Sequence, residues 1–102
     1  MIRVRSAHRP GRVIPRRAEG LRAGVVVLQS GEVMDWHSTD DREELLIVLE
    51  GRVALEVQRM SRIRRVALRN GHCALVPHRT RHRVVNRFRS AARYLYVTGA
   101  AR

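Results

Sequence analysis

Short aliphatic runs, broken at close intervals by turn-forming residues, constrain the fold of this chain more than any other feature. Asn70-Gly71, which separates two such runs, is a strong signal for a tight β-hairpin. No stretch longer than a turn repeats its apolar residues with the 3.6-residue period of a helix. The pattern predicts an all-β fold of seven or eight short strands in a sandwich or barrel. The clearest predicted strands cover residues 25–28, 45–49, 53–58, 64–68, 73–76, 82–86 and 92–98.

The length of 102 residues and an apolar content of 44% predict one domain with a buried core. Residues 1–22 are rich in Arg and are interrupted by Pro10 and Pro15. This composition predicts an arm or a short edge strand, with the strand over residues 2–5. The β-type runs begin after this segment, so residues 23–102 are predicted to form the folded barrel.

The charge of the chain is one-sided, because all 21 basic residues are Arg and only 9 residues are acidic. The resulting net charge of +12 predicts attraction to polyanions. The Arg residues are spread along the whole sequence, however, and only four aromatic residues are available to stack on bases. No signature of a DNA- or RNA-binding motif is present. We therefore expect no functional binding of nucleic acid.

The cellular compartment is predicted from three simple features. Cys73 is the only cysteine, which excludes an intrachain disulfide and fits a reducing environment. The basic N-terminus is followed by no apolar segment of the kind a signal peptide needs. The longest wholly apolar stretch, residues 45–49, is too short to span a bilayer. We expect a cytoplasmic protein without membrane contact.

Polar residues within the predicted strands point to a chemical site. His37 and Thr39 share one face of a strand, because side chains two residues apart point the same way. A turn over residues 40–43 would bring Glu44 onto the neighbouring strand, on one face with Leu46 and Val48. A carboxylate among such apolar neighbours is costly unless it is paired or binds a metal ion.

The segment that contains these residues resembles the first motif of the cupin superfamily, which is written G-x5-H-x-H-x3/4-E-x6-G. Thr39 stands where the second His of the motif belongs. The other motif residues are matched, at the family spacing, by Gly31, His37, Glu44 and Gly51.

A second segment resembles the second cupin motif, G-x5-P-x-G-x2-H-x3-N. Arg79 replaces the inner glycine of that motif. The remaining positions are matched by Gly71, Pro77, His82 and Asn86. Two motifs in the right order over residues 31–86 form a specific signal.

The resemblance implies a small antiparallel barrel of the jelly-roll type, the double-stranded β-helix of cupins. It also implies one divalent metal ion inside the barrel, bound by His37, Glu44 and His82. Fe, Zn, Mn and Ni all remain candidates, because two imidazoles and one carboxylate suit Fe(II) with open positions or Zn²⁺ with a bound water. Either Thr39 or water would complete the site.

Other residues near the motifs are weaker candidates. His78 lies in the loop before His82 and is a weak candidate for a catalytic residue. Glu43 is an alternative to Glu44, but alternation turns it outward and it is predicted to be a solvated turn residue. Cys73 is predicted to be a small buried residue. The aromatic residues, predicted to serve packing or a subunit interface, are Trp36, Tyr94 and Tyr96.

Three functions remain open at this point. The first is a metal-dependent enzyme acting on a small organic molecule, as a dioxygenase, an isomerase or a lyase. The second is a noncatalytic barrel that binds or senses a small molecule, and the third is a polyanion-binding protein. A few Arg residues at the barrel mouth would favour an anionic ligand. The resemblance and the unpaired strand edges also predict a homodimer.

Overall fold

A computed structural model describes residues 2–15 and 18–101 of the chain. In these ranges the chain forms nine strands and no helix, which confirms the all-β prediction. Two of the strands, those over residues 11–12 and 33–38, have no aliphatic run that marks them in the sequence. The strands are β1 (Gly11–Arg12), β2 (Leu21–Leu28), β3 (Val33–Ser38), β4 (Arg42–Glu50), β5 (Arg52–Arg59), β6 (Arg62–Arg69), β7 (Cys73–Val76), β8 (Arg81–Val85) and β9 (Ala92–Ala100).

The strands form two antiparallel sheets that enclose one core. The five-stranded sheet has the order β1-β2-β9-β4-β7, and the four-stranded sheet has the order β3-β8-β5-β6. Alternating aliphatic side chains of both sheets point inward, because burial of one face stabilises each sheet. This is the predicted jelly-roll barrel. Its buried core includes Leu28, Leu46, Val48, Val53, Leu55, Leu68, Val76, Val84, Ala92 and Tyr94.

The N-terminal segment lies against the sheet but contributes little to it. Residues 2–5, predicted as an arm or an edge strand, form no strand; Ile2 and Val4 are 92% and 91% exposed, so no burial favours one. The edge strand is instead β1, which pairs with β2. Arg93 of β9 holds the segment by donating a hydrogen bond from Nη1 to the Ala7 carbonyl oxygen at 3.0 Å.

Backbone conformation explains the glycine at one motif position and the replacement of glycine by Arg79 at another. Gly51 has a φ of +82°, and a Cβ at this position would lie 2.7 Å from the Ala91 carbonyl oxygen. Arg79 has a φ of +52°, so it adopts the left-handed conformation at the position where the cupin motif has glycine. The N–H of Arg79 donates to the Asp40 carbonyl oxygen at 2.7 Å, which stabilises this conformation.

Two local predictions are wrong. Glu43 is not a turn residue but an exposed member of β4, because the turn before this strand involves only Asp40 and Asp41. Cys73 is exposed rather than buried. It lies opposite Ile47 at the outer edge of the five-stranded sheet, where no further strand covers it.

Glu56 is a fully buried carboxylate on β5, on the opposite side of its sheet from the core. Its oxygens accept hydrogen bonds from Arg65 Nε at 2.7 Å, Arg83 Nε at 2.6 Å and Arg87 Nη1 at 3.1 Å. Burial alone raises the pKa of Glu56, but the three guanidinium groups outweigh burial and lower it from 4.5 to about 2. The arginine side chains thus cover the outer face of this sheet around one carboxylate.

We predict that Glu56→Gln lowers the free energy of unfolding by roughly 2–3 kcal/mol near neutral pH. Because the pKa of Glu56 is lower in the folded state, the ionised group stabilises the fold above about pH 4.5. That contribution disappears as the pH falls towards 2, so the difference between wild type and variant shrinks there. Urea unfolding across this pH range measures it. Glu50→Gln is the control. The Glu50 carboxylate, which pairs with Arg93, is exposed, so its loss should change the free energy of unfolding little. A difference independent of pH would contradict the prediction.

Candidate metal centre

A β-bulge in β3 directs His37 into the barrel. Met34 lies opposite Val84 and His37 lies opposite His82, so two residues of β3 face one residue of β8. Residues three positions apart point to opposite faces of a regular strand. The bulge removes this alternation, so Met34 and His37 both point inward. Trp36 therefore points outward, where the guanidinium carbons of Arg81 and Arg83 lie 5.6 Å and 4.7 Å from the centre of its ring.

The three predicted metal ligands meet between the two sheets. His37 and His82 come from the paired strands β3 and β8, and Glu44 comes from β4 of the facing sheet. The His82 Nε2 atom lies 3.1 Å from Glu44 Oε2, and the two imidazole rings have centroids 4.2 Å apart. One ligand atom from each of the three residues lies within 4.8 Å of the others. His82 and Glu44 are buried, whereas His37 is partly exposed.

Backbone carbonyl oxygens orient both imidazole rings. His37 Nδ1 lies 2.8 Å from the Asp35 carbonyl oxygen, and His82 Nδ1 lies 3.0 Å from that of Thr80. A carbonyl oxygen only accepts, so each Nδ1 carries a proton and each neutral ring has its lone pair on Nε2. The His82 lone pair then faces a carboxylate oxygen, an arrangement that needs a proton or a cation between them. This donor set fits a divalent metal ion.

The electrostatics of the pair show how strongly this position attracts positive charge. Burial lowers the pKa of His82, but the hydrogen bond with Glu44, the bond to the Thr80 carbonyl oxygen and the charge of Glu44 outweigh burial. The pKa of His82 therefore lies above its ordinary value of 6.5. A proton on Nε2 and a metal ion would compete for the same place.

Thr39, at the position of the family's second His, has its hydroxyl engaged with the backbone. Its Oγ1 donates to the Pro77 carbonyl oxygen at 2.6 Å and accepts from the Thr80 N–H at 3.0 Å. The carbonyl oxygen of the same Thr80 residue lies against Nδ1 of His82 and orients its ring. Thr39 therefore positions the loop before β8, and its hydroxyl proton is not directed at the three ligands.

A cavity of about 590 Å³ opens from this site to the surface. His37 and Glu44 line it from the barrel, and Asp40 and Asp41 line it from the turn before β4. The N-terminal segment contributes Arg12, Ile14 and Pro15, and β2 contributes Arg22. No sequence pattern placed these residues at the site, because their contact with it depends on the path of the N-terminal segment.

A smaller chamber of about 170 Å³ continues beside His37 and Glu44 and is mostly apolar. Tyr94 and Tyr96 form part of its wall; Tyr94 belongs to the buried core and Tyr96 packs against that core, in agreement with the predicted packing role. Burial, with smaller contributions from the charge of Glu44 and from Tyr96, raises the pKa of Tyr94 far above its ordinary value. Its phenol therefore stays protonated. Strand alternation could have indicated this position from the sequence, because Tyr94, Tyr96 and Thr98 share one face of β9. In the structure Thr98 of that face lies opposite Glu44. The other wall residues are Val26, Met34 and Val84.

His78 lies away from the three ligands. It is exposed in the turn between β7 and β8 and is not among the residues that line either cavity described above. Its carbonyl oxygen accepts a hydrogen bond from Thr80 Oγ1 at 3.0 Å. A catalytic role for its side chain stays a prediction.

Comparison with known proteins identifies relatives of this arrangement. The profile of the family described as Cupin domain matches residues 24–98. A Cupin 2 conserved barrel domain protein from Salinispora arenicola superimposes with a TM-score of 0.80 and 19% identity, over 99% of this chain and 91% of the other. The cupin domain of Schizosaccharomyces pombe Cnp3 gives a TM-score of 0.77 and 15% identity, over 90% and 60%. No curated protein matches significantly in sequence.

An oxalate oxidase is also similar in structure, with a TM-score of 0.73 and 15% identity over 79% of this chain. The present chain covers 60% of the Cnp3 chain and 42% of the oxalate oxidase chain, so it spans less than two thirds of these two. At such identities the likeness concerns the fold.

We predict that Thr39→Val destabilises the protein by about 1–3 kcal/mol, because the buried Thr80 N–H and the Pro77 carbonyl oxygen lose their partner. Thr39→Ser retains the hydroxyl and is the matched control, with a smaller loss. Urea unfolding of the metal-free proteins measures both. Equal stability of the Val and Ser variants would show that the hydroxyl contributes nothing.

Proposed function

The chain belongs to the Cupin domain family, and we propose that it binds one divalent metal ion through His37, Glu44 and His82. The ion would lie at the base of the large cavity and would bind a small organic molecule there. One observation carries this proposal: two imidazoles, each with Nδ1 held by a backbone carbonyl oxygen, converge with a buried carboxylate from the facing sheet.

The donor set suits Fe, Zn, Mn or Ni. Two neutral nitrogens and one carboxylate are typical of open Fe(II) and Zn²⁺ sites. When bound, such an ion would supply Lewis acidity or, in the case of iron, redox chemistry. Three protein ligands leave coordination positions for water or substrate, since the Thr39 hydroxyl is held by Pro77 and Thr80.

The surrounding residues would give a bound molecule its orientation. The mostly apolar chamber with Met34, Val84 and Tyr94 offers water few hydrogen-bonding partners on one side of the ligands. On the open side, Arg12 and Arg22 offer positive charge to an anionic group. We propose a small organic acid as the class of ligand. The similarity in fold to an oxalate oxidase supports this class and supports an enzyme.

A noncatalytic binding barrel is the second candidate. The described residues that line the two cavities include no Cys or Lys, and His37 is the only His among them. His82 is buried and lines neither cavity. Among the described residues that line the large cavity, Asp40 and Asp41 are the only carboxylates besides the proposed ligand Glu44. A reaction would therefore depend on the ion and on these two carboxylates for proton transfer.

We predict that His37→Ala, Glu44→Ala and His82→Ala each reduce metal retention roughly tenfold or more, since only three protein ligands hold the ion. Elemental analysis after dialysis against a weak chelator, on protein without a histidine tag, measures retention. Glu43→Ala and His78→Ala are matched controls, because both side chains are exposed and lie outside the site.

Retention in all three ligand variants equal to that of the controls would overturn the metal site. Retained metal in wild type, with no turnover of any organic acid tested under oxygen, would favour the noncatalytic barrel.

We also propose that two copies of the chain associate through the outer face of the five-stranded sheet. Several aliphatic side chains on this face are only half-buried, and a symmetric dimer would cover them. The outer face of the other sheet carries many arginines, which would repel a second copy of a chain with net charge +12. The aliphatic residues are Leu45, Ile47 and Leu49 of β4 and Leu95 and Val97 of β9.

We predict that Ile47→Glu converts the dimer into a monomer, because it places a charge at the centre of this face. Light scattering at micromolar concentration measures the mass, which should be twice the chain mass in wild type. Ile63→Glu, at an exposed aliphatic position of the other sheet, is the control and should remain dimeric. A monomeric wild type would exclude the proposed dimer.

No helix long and apolar enough to cross a membrane is found among the described residues. Cys73 is an exposed free thiol, which supports the cytoplasm as the proposed compartment.

A further inference from the structure

A second large cavity lies at the edge of the barrel next to β6 and β7, and two of its lining residues, Val57 and Val76, lie opposite His82 and Glu44 in the two sheets. It occupies the seam between β6 and β7, which are the edge strands of the two sheets and are not hydrogen-bonded to each other. Its volume of about 570 Å³ is within the range of small-molecule sites. No residue lines both this cavity and the cavity at the metal centre. We call it the seam cavity.

The inner part of the seam cavity is aliphatic. Leu55 belongs to the buried core, and Val57, Val66 and Ala74 pack against that core while remaining partly exposed. These side chains therefore present apolar surface that the protein itself does not cover. A ligand with an apolar body would gain free energy by covering it.

Three arginines stand at one end of the seam cavity, next to the β5–β6 hairpin turn. In the register of this hairpin, Arg59 lies opposite Arg62, and Arg64 lies opposite Val57. Strand alternation places all three on the same face as the apolar side chains. Like charges directly opposite each other in a sheet are destabilising, and a bound anion would relieve this repulsion.

Nothing in the described part of the chain neutralises these charges. Arg59, Arg62 and Arg64 form no ion pair there, whereas Arg65 on the opposite face of the same strand pairs with Glu56. The residues that line the seam cavity include no Asp or Glu. The site is therefore positive at one end and apolar at the other.

We propose that the seam cavity binds an amphipathic organic anion, of the class of a medium-chain aliphatic carboxylate. The carboxylate accepts hydrogen bonds from Arg62 and Arg64 at the hairpin end, and the chain lies along Leu55, Val57 and Val66. A single free molecule fits this site, because the cavity is a recess between two strands rather than a flat surface. None of the three proposed metal ligands lines the seam cavity.

The experiment is a calorimetric titration of the full-length protein with decanoate. We expect saturable binding that persists after removal of metal by a chelator, because no proposed metal ligand lines the seam cavity. Arg62→Gln/Arg64→Gln should weaken the affinity roughly tenfold or more, because charge-assisted hydrogen bonds to the carboxylate are lost. The matched control is Arg52→Gln/Arg69→Gln, which removes two arginines that lie opposite each other on the outer face of the same hairpin. It should bind decanoate as wild type does.

Two further measurements separate the head from the body of the ligand. Decanol, which lacks the charge, should bind wild type and Arg62→Gln/Arg64→Gln with similar, weak affinity. Ala74→Phe should fill the apolar end and weaken decanoate binding while leaving metal retention unchanged.

Three outcomes would overturn the proposal. These are no saturable binding of decanoate, equal losses in the two double-arginine variants, or a change in molecular mass of Arg62→Gln/Arg64→Gln by light scattering. The last result would show that a second copy of the chain, rather than a small anion, occupies the seam.

Discussion

A carboxylate and an imidazole, buried side by side between two apolar sheets, are the pair on which the rest of this structure depends. Glu44 and His82 come from facing sheets, and their 3.1 Å contact leaves neither group alone in the interior. The backbone is arranged around that pair: the bulge in β3 adds His37, and the Thr39 hydroxyl holds the loop whose carbonyl oxygen orients His82. An interior that attracts a cation is the consequence.

The two outer faces of the barrel have opposite character. Guanidinium groups gather around Glu56 and Trp36 on the four-stranded sheet, so many of the arginines have structural partners. The five-stranded sheet instead presents half-buried aliphatic side chains such as Ile47 and Leu95. A high net charge thus does not make every surface of this chain repel its copies.

The two sheets also leave two seams, and each has a cavity of its own. One seam contains the carboxylate and imidazoles and so suits a cation with an organic acid bound to it. The other contains Arg59, Arg62 and Arg64 beside aliphatic side chains and suits an anion with an apolar body. The inward residues of the same barrel therefore differ in charge from one seam to the other.

Much of this protein is determined by local sequence. Turn signals such as Asn70-Gly71 and the short aliphatic runs predict the strands, because these depend on neighbours along the chain. The resemblance to two cupin motifs indicates His37, Glu44 and His82 as candidate ligands. Other features depend on partners distant in sequence. Tyr96 lines the chamber only because β9 pairs with β4, and Glu56 is buried only because Arg65, Arg83 and Arg87 converge on it. Cys73 is exposed because β7 is an edge strand, and the Thr39 hydroxyl is engaged by a loop 38 or more residues away. Strand order and register decide these contacts, and the tertiary structure alone determines both, because a residue's burial depends on which strand lies beside it.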